Sequence, residues 1–398
     1  MTTSSLPRLE LMLILGTLSA FGPLATDMYL PALPLLEGEF WTGAAEVQLT
    51  LASSFLGFAL GQGVYGPLSD RLGRRLPLLA GLALFLAGSI ACALAPDIRS
   101  LILARLAQGL GACAGVVLGR AMVRDLFPVA EMPRVLSALM LVSGVAPVLA
   151  PLLGGQVMGI AGWRGIFWLL TAIGFISAAA VLWRLPESRP GNPAAPVAPL
   201  AVARAYGRLL RDRGFLAQVL TMGFGMGALF AYIAGSPFVV IELHGVPAER
   251  FGLIFGANAA GLVALSVANG RLVARFGPRR MLLAALLLQA GAGLVLLGVA
   301  WSGLDGLWGL WGLLPPLFLC VAAIGALAPN AAALALAPHG GQAGTASALI
   351  GMAQFGMGAV AAALVGVLHA RSALPMASII AGSALVALLA QTWLAKRG

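Results

Sequence analysis

The sequence predicts an all-α membrane protein of twelve transmembrane helices, arranged as two pseudo-symmetric six-helix bundles. Of its 398 residues 60% are hydrophobic and only 10% charged, against roughly a quarter charged in soluble domains. That leaves too little polar surface to clothe a globule in water. Apolar runs of about 20 residues, the length that crosses a hydrocarbon core, recur along the whole chain. A charged knot, Gly66-Pro-Leu-Ser-Asp70-Arg71-Leu-Gly73-Arg74-Arg75, returns 204 residues later as Gly270-Arg-Leu-Val-Ala274-Arg275-Phe-Gly277-Pro278-Arg279. Each copy joins two apolar runs, so the chain reads as two similar halves.

Spans are predicted at 9–31, 46–66, 76–95, 99–121, 134–158, 163–185, 214–237, 250–272, 279–300, 309–332, 343–367 and 373–394. The first follows Arg8 and runs past Tyr29, longer than the apolar region of a signal peptide, about 7–15 residues, so it is read as a mature helix. The single long connection divides the chain into an N-terminal bundle 1–185, a linker 186–213 and a C-terminal bundle 214–398. Five prolines within 186–199 predict an extended segment. Beyond them Arg204, Arg208 and Arg211 share one helical face and Val202, Tyr206 and Leu209 another. Two readings fit: a short surface helix, or a solvated basic loop beside anionic lipid.

The basic residues set the orientation. Nineteen of the 24 Lys and Arg fall on the side that holds the linker and both termini, four (Arg99, Arg164, Arg250, Arg371) on the other, and Arg105 lies within a span. By the positive-inside rule the termini and linker are cytoplasmic. The net charge of +10 is thereby explained by membrane lipid rather than nucleic acid. Glycine and proline crowd several spans, most densely Gly144, Pro147, Pro151, Gly154 and Gly155, a cluster suited to close helix approach and bending.

Two charges, Asp27 and Arg105, fall well inside spans, where an ionisable group marks function by default. Both lie in the outer part of the membrane, so they are expected to face each other or one shared cavity. Burial and a neighbouring guanidinium act in opposite senses on the proton affinity of Asp27. As the only carboxylate deep in the membrane it reads as a proton carrier, with one proton moved per cycle; the other reading is a static ion pair. Gln108, Asn258, Gln289 and Gln354, with Tyr29, Tyr232, Phe230 and Trp168, are candidates for an amphipathic pocket suited to lipophilic, neutral or weakly charged molecules.

Enzyme signatures are missing. No GxxxxGK[ST], HExxH or GxSxG occurs, and the single lysine is Lys396. Cys92, Cys113 and Cys320 lie too far apart for a CxxC pair or a local metal cluster. No metal and no cofactor is expected. Transport must then draw on an ion gradient, run downhill, or use a separate partner. A non-transporting sensor is disfavoured because only short loops leave the bilayer.

The knot Gly66 to Arg75 resembles the signature between the second and third helices of the major facilitator superfamily. Thr26-Asp27-Met-Tyr29-Leu-Pro31-Ala-Leu-Pro34 resembles the first-helix motif of that superfamily's drug:proton antiporters of the bicyclomycin/chloramphenicol-resistance (Bcr/CflA) type. Arg105-Leu-Ala-Gln108-Gly109 resembles the fourth-helix motif, and Ala150-Pro151-Leu-Leu-Gly154-Gly155 the fifth-helix antiporter motif, with Ala150 where glycine is usual. The resemblance implies a multidrug efflux antiporter of the bacterial inner membrane, a monomer, with Asp27 and Arg105 coupling protons to export. It implies a cytoplasmic gate of Gly66, Asp70, Arg71, Gly73, Arg74 and Arg75 with Asp125, and an exchange-favouring bend from Gly144 to Gly155. Ser19 stands where related antiporters carry a second acid, which argues against a two-carboxylate mechanism. A proton-coupled importer or metabolite exporter on the same scaffold is the alternative.

Overall fold

The computed structural model describes residues 8–128, 131–192, 199–303, 309–368 and 372–394. Helix is the only regular secondary structure among them, as apolar surroundings demand: with no water to bond, each backbone amide and carbonyl must find its partner within its own segment. The helices are α1 (Arg8–Asp27), α2 (Leu33–Phe40), α3 (Ala44–Leu72), α4 (Arg75–Ala93), α5 (Ile98–Leu126), α6 (Met132–Arg184), α7 (Pro199–Leu210), α8 (Arg213–Pro237), α9 (Ala248–Phe276), α10 (Pro278–Trp301), α11 (Leu310–Leu336), α12 (Ala343–Val367) and α13 (Leu374–Leu389).

Eleven of the described helical stretches are long and apolar enough to cross a membrane. One of them, Val142–Arg184, has 43 residues, about twice the length of a crossing. It breaks at Gly162 (φ 67°, ψ −178°), which divides α6 into two traverses and gives the twelve expected. The first span departs from prediction: α1 ends at Asp27, a 3₁₀ turn follows at Leu30–Ala32, and α2 carries the chain on to Phe40. The prolines Pro31 and Pro34, each without an amide to donate, divide what the apolar run suggested was one helix.

Both copies of the repeated knot turn the chain at their second glycine, Gly73 at φ 86° and Gly277 at φ 77°, a left-handed region that favours glycine. In the linker a helix forms, α7, with Leu209 buried and Arg204, Arg208 and Arg211 exposed. Residues 193–198 of the expected extended segment, and the terminal Lys396 and Arg397, lie outside the described residues.

Helices approach closely where side chains are small. Gly57 and Gly109 let α3 and α5 meet backbone to backbone, Gly57 against Leu106 and Gly109 against Ser54. The first half packs through α3 on α5, α4 on α5 and α1 on α6; the second through α8 on α12, α10 on α11 and α9 on α11. Two seams join the halves, α3 along α12 and α6 along α9.

Candidate functional site

Arg105 is 0% exposed and ties the first bundle together. Its Nη1 donates to the Ala25 carbonyl on α1 at 2.7 Å and to Gln108 Oε1 at 2.5 Å. Gln108 in turn donates to Ser89 Oγ on α4 at 2.8 Å. The guanidinium lies 4.6 Å from the centre of the Tyr29 ring, a cation–π contact, and the Tyr29 hydroxyl shares a hydrogen bond with Thr50 on α3 at 3.0 Å. Nε and Nη2 have no hydrogen-bond partner.

Asp27 does not pair with Arg105, nor does Arg105 line the cavity beside Asp27, which corrects the expectation that the two charges face each other or one shared cavity. Its Oδ1 accepts from Thr26 Oγ1 at 3.0 Å, and it borders a cavity between the halves. The reason is helical register: Ala25, which anchors Arg105, and Asp27 are two residues apart, on nearly opposite sides of α1. Ser19, at the place of a second acid, spends its hydroxyl on the Leu15 carbonyl at 2.9 Å.

The cavity holds about 250 Å³. Gly22, Pro23, Thr26 and Asp27 line it from α1, Phe55 and Phe58 from α3, and Ser143, Gly144 and Pro147 from α6. Phe230 and Tyr232 of α8, Phe255 of α9 and Phe355 of α12 close it from the other half. Among the described residues Asp27 is the only carboxylate in this lining. Rings meet across the halves: Phe58 stacks on Phe355 with centroids 4.9 Å apart and planes 16° apart, and Phe55 lies 4.5 Å from Phe230. Such a surface offers dispersion and π contact to flat apolar molecules, with one ionisable group at its edge.

Of the predicted pocket residues, Phe230 and Tyr232 line the cavity, and Asn258 stands behind, donating to the Tyr232 hydroxyl at 2.9 Å. Tyr29 and Gln108 belong to the Arg105 cluster instead. Gln354 points its amide at the Met222 sulfur, 3.8 Å away, and Gln289 donates to the Gly225 carbonyl at 3.2 Å. Trp168 is 48% exposed and outside the lining, because its neighbours Ile166, Phe167 and Leu170 take the buried face of α6. Phe55, Phe58 and Phe355 had no mark in the sequence to set them apart from lipid-facing phenylalanines. The only signal was Phe55 and Phe58 at helical spacing, one turn apart.

The small residues of α6 act at helix contacts. Gly154 lies so close to the Met28 carbonyl that a methyl group would collide with it, and a Cβ on Gly155 would stand 3.1 Å from the Ala248 carbonyl on α9. Ala150 is 0% exposed between them. This stretch therefore touches α1 on one side and the second half on the other.

At the opposite end of α3, Arg74 is the hub of the charged knot. Its Nη1 donates to Ser69 Oγ at 2.5 Å and to Asp70 Oδ1 at 3.0 Å, and its Nε to Asp125 Oδ2 at 3.1 Å. Glu187 accepts from the backbone amides of Arg74 at 2.8 Å and Arg75 at 3.1 Å, capping the start of α4 where free amides favour a carboxylate. Ser188 donates to Asp125 at 3.2 Å, and the Asn192 amide to the Asp70 carbonyl at 3.0 Å. Arg75 reaches the Leu182 carbonyl. Gly73 makes the turn that presents these groups, while Gly66 has open space around it. Among the described residues these bonds join α3, α4, α5, α6 and the start of the linker, and none reaches the second half. In the second copy Ala274 replaces Asp70 and Pro278 replaces Arg74, so the hub has no counterpart there. Glu187 escaped the sequence reading because it lies 112 residues from the knot.

Among the described residues no group of His, Cys, Asp and Glu is placed to hold a metal. Residues 15–363 match the sequence model described as Major Facilitator Superfamily. An uncharacterized MFS-type transporter, YdgK, of Bacillus subtilis is 41% identical over 66% of this chain and 66% of its own length. A bicyclomycin resistance protein homolog of Haemophilus influenzae is 32% identical over 72% of each chain. Among solved structures, a D-xylose-proton symporter superposes with a TM-score of 0.74 over 97% of both chains at 17% identity, a likeness of fold alone.

Proposed function

This chain belongs to the Major Facilitator Superfamily, and we propose that within it the protein exports small amphipathic compounds from the cytoplasm in exchange for protons. The two bundles, 1–185 and 214–398, rock about the seams α3–α12 and α6–α9 and present the cavity to each side of the membrane in turn. The observation that carries this reading is a single carboxylate, Asp27, on the wall of an aromatic cavity between the halves. Asp27 carries the proton. Arg105 holds α1, α4 and α5 in register around it through Ala25, Gln108 and Tyr29, so its coupling role is exerted through the position of α1 rather than by an ion pair.

The kinship with a bicyclomycin resistance homolog and the close α6 contacts of Gly154 and Gly155 favour export over import. The knot around Arg74, with Gly66, Asp70, Arg71, Gly73, Arg75 and Asp125, works as the cytoplasmic gate. The basic residues place both termini and the linker in the cytoplasm of a bacterium, the chain crossing its inner membrane as a monomer. One carboxylate moves one proton per cycle. With a neutral substrate the exchange carries one positive charge inward, a gain of about 2.3 kcal/mol per 100 mV.

The test is substrate-induced proton release in inverted vesicles, with a panel of antibiotics and dyes, for wild type beside Asp27→Asn. Release by the wild type and none by the variant is expected. Equal release by both removes Asp27 from the mechanism, and two protons per substrate removes the single-carrier scheme.

A further inference from the structure

A second charge stands on α5, outside the described lining of the cavity, and no role above beyond the orientation count uses it. Helix α5 packs on α3 through Gly109 and Cys113, which meet Ser54 and Gly61, and on α1 through Gly115 and Gly119, which both meet Leu18. The strip of α5 between these two faces carries Val116, which approaches Gly22 of the cavity wall at the level of Phe58. One turn further toward the Asp70 end, on the α3 side of that strip and two turns beyond Cys113, is Arg120. Arg120 is exposed, whereas Leu118, Gly119, Ala121, Met122 and Val123, which cover the other sides of α5, are buried. That combination belongs to a side chain in a cleft, not to one spread on a lipid surface. Among the described residues it makes no hydrogen bond and no ion pair. Along the helix axes Arg120 and Asp27 stand on the order of 14 Å apart, at roughly 1.5 Å per residue, with the Phe58–Phe355 stack between them.

We propose that Arg120 selects substrate, receiving the anionic or strongly hydrogen-bond-accepting end of an elongated amphipathic molecule whose aromatic body lies on Phe58 and Phe355. The inference rests on the export reading and narrows its substrate class. An unpaired guanidinium presents a planar fork of donors that fits a carboxylate or nitro group, and in a cleft walled by apolar rings its field is concentrated rather than screened. The same field opposes a cation approaching from that end. A charge that served only to fix topology would make no such distinction among ligands.

The test is equilibrium binding of three aromatic probes to the purified full-length protein in detergent: nalidixate as the anion, chloramphenicol as the neutral nitro compound and ethidium as the cation. Arg120→Gln is expected to weaken nalidixate about tenfold, the loss of one charge-assisted contact, while ethidium binds no more weakly than before. Arg120→Lys keeps the charge but loses the planar fork, and is expected to bind nalidixate more weakly than wild type and more tightly than the Gln variant. Arg120→Glu is expected to reverse the order in favour of ethidium. Unchanged nalidixate affinity in the Gln variant, an equal loss for all three probes, or no binding of any probe by the wild type would overturn the proposal. Should the Gln variant fail to elute as a folded species, the Lys and Glu variants decide by the same comparison. Proton release by chloramphenicol in inverted vesicles separates the two levels. Charge selection at Arg120 without any release by the wild type sinks only the exchange reading, and release with no charge selection sinks only this one.

Discussion

Arg74 shows how one residue converts a charged loop into structure. It is 7% exposed, and its guanidinium is shared among Ser69, Asp70 and Asp125 while its backbone amide is held by Glu187. Glu187 is itself exposed, so its value is that of a helix cap in water. Glu187→Gln is expected to cost about 0.5–1 kcal/mol, read as a lowered thermal midpoint in detergent, with Arg74 still held by its carboxylates. The sequence made Asp70 and the arginines legible because they stand together between apolar runs. It hid Glu187, since sequence distance says nothing about which carboxylate a turn will meet. Asp27 and Arg105 were legible as buried charges for the same reason of contrast, whereas their failure to pair depended on a two-residue difference of helical phase that depth along the membrane does not reveal.

At the scale of the element, α6 binds the two halves. Its Gly154 lets α6 lie directly on the Met28 carbonyl, at the end of α1 that carries Asp27. Gly154→Val is expected to push the two helices apart at a cost of about 1–3 kcal/mol, seen as a lower thermal midpoint and reduced proton release. Gly66→Ala, at a position with no atom in reach of the added methyl, leaves the thermal midpoint unchanged. Helices were the most legible level of this chain, because period and length both speak clearly in lipid. The errors came at boundaries: Pro31 and Pro34 ended α1 early and began α2, and Gly162 turned the chain between two crossings while keeping continuous hydrogen-bonded helix on each side.

For the whole molecule, function requires the halves to part first at one end and then at the other. At the end of α3 remote from the Asp70 knot they are closed here, with Gln48 donating to the Ala234 carbonyl at 2.7 Å and Gly366 packed on Ala45. Ala45→Cys paired with Gly366→Cys is expected to form a crosslink on oxidation and to stop substrate-induced proton release, with recovery on reduction. The native Cys92, Cys113 and Cys320 are buried and leave this readout clean. Release that persists through full crosslinking would mean that this end does not open. The repeat in the sequence announced two halves but not which helices would join them, since the seams depend on where small residues from distant segments coincide, as Gly155 does with Ala248 and Gly63 with Met352.

The rings that cross the cavity, Phe58 on Phe355 and Phe55 against Phe230, bear on what the protein does when nothing is there to carry. Each pair joins one half to the other, so parting the halves strips both faces at once. A planar guest sliding between them replaces the lost partner and lowers that barrier, whereas an empty site keeps its rings clasped. The stacks thus resist the parting of the halves in an empty site, a barrier that the substrate-free return of an exchanger must also overcome.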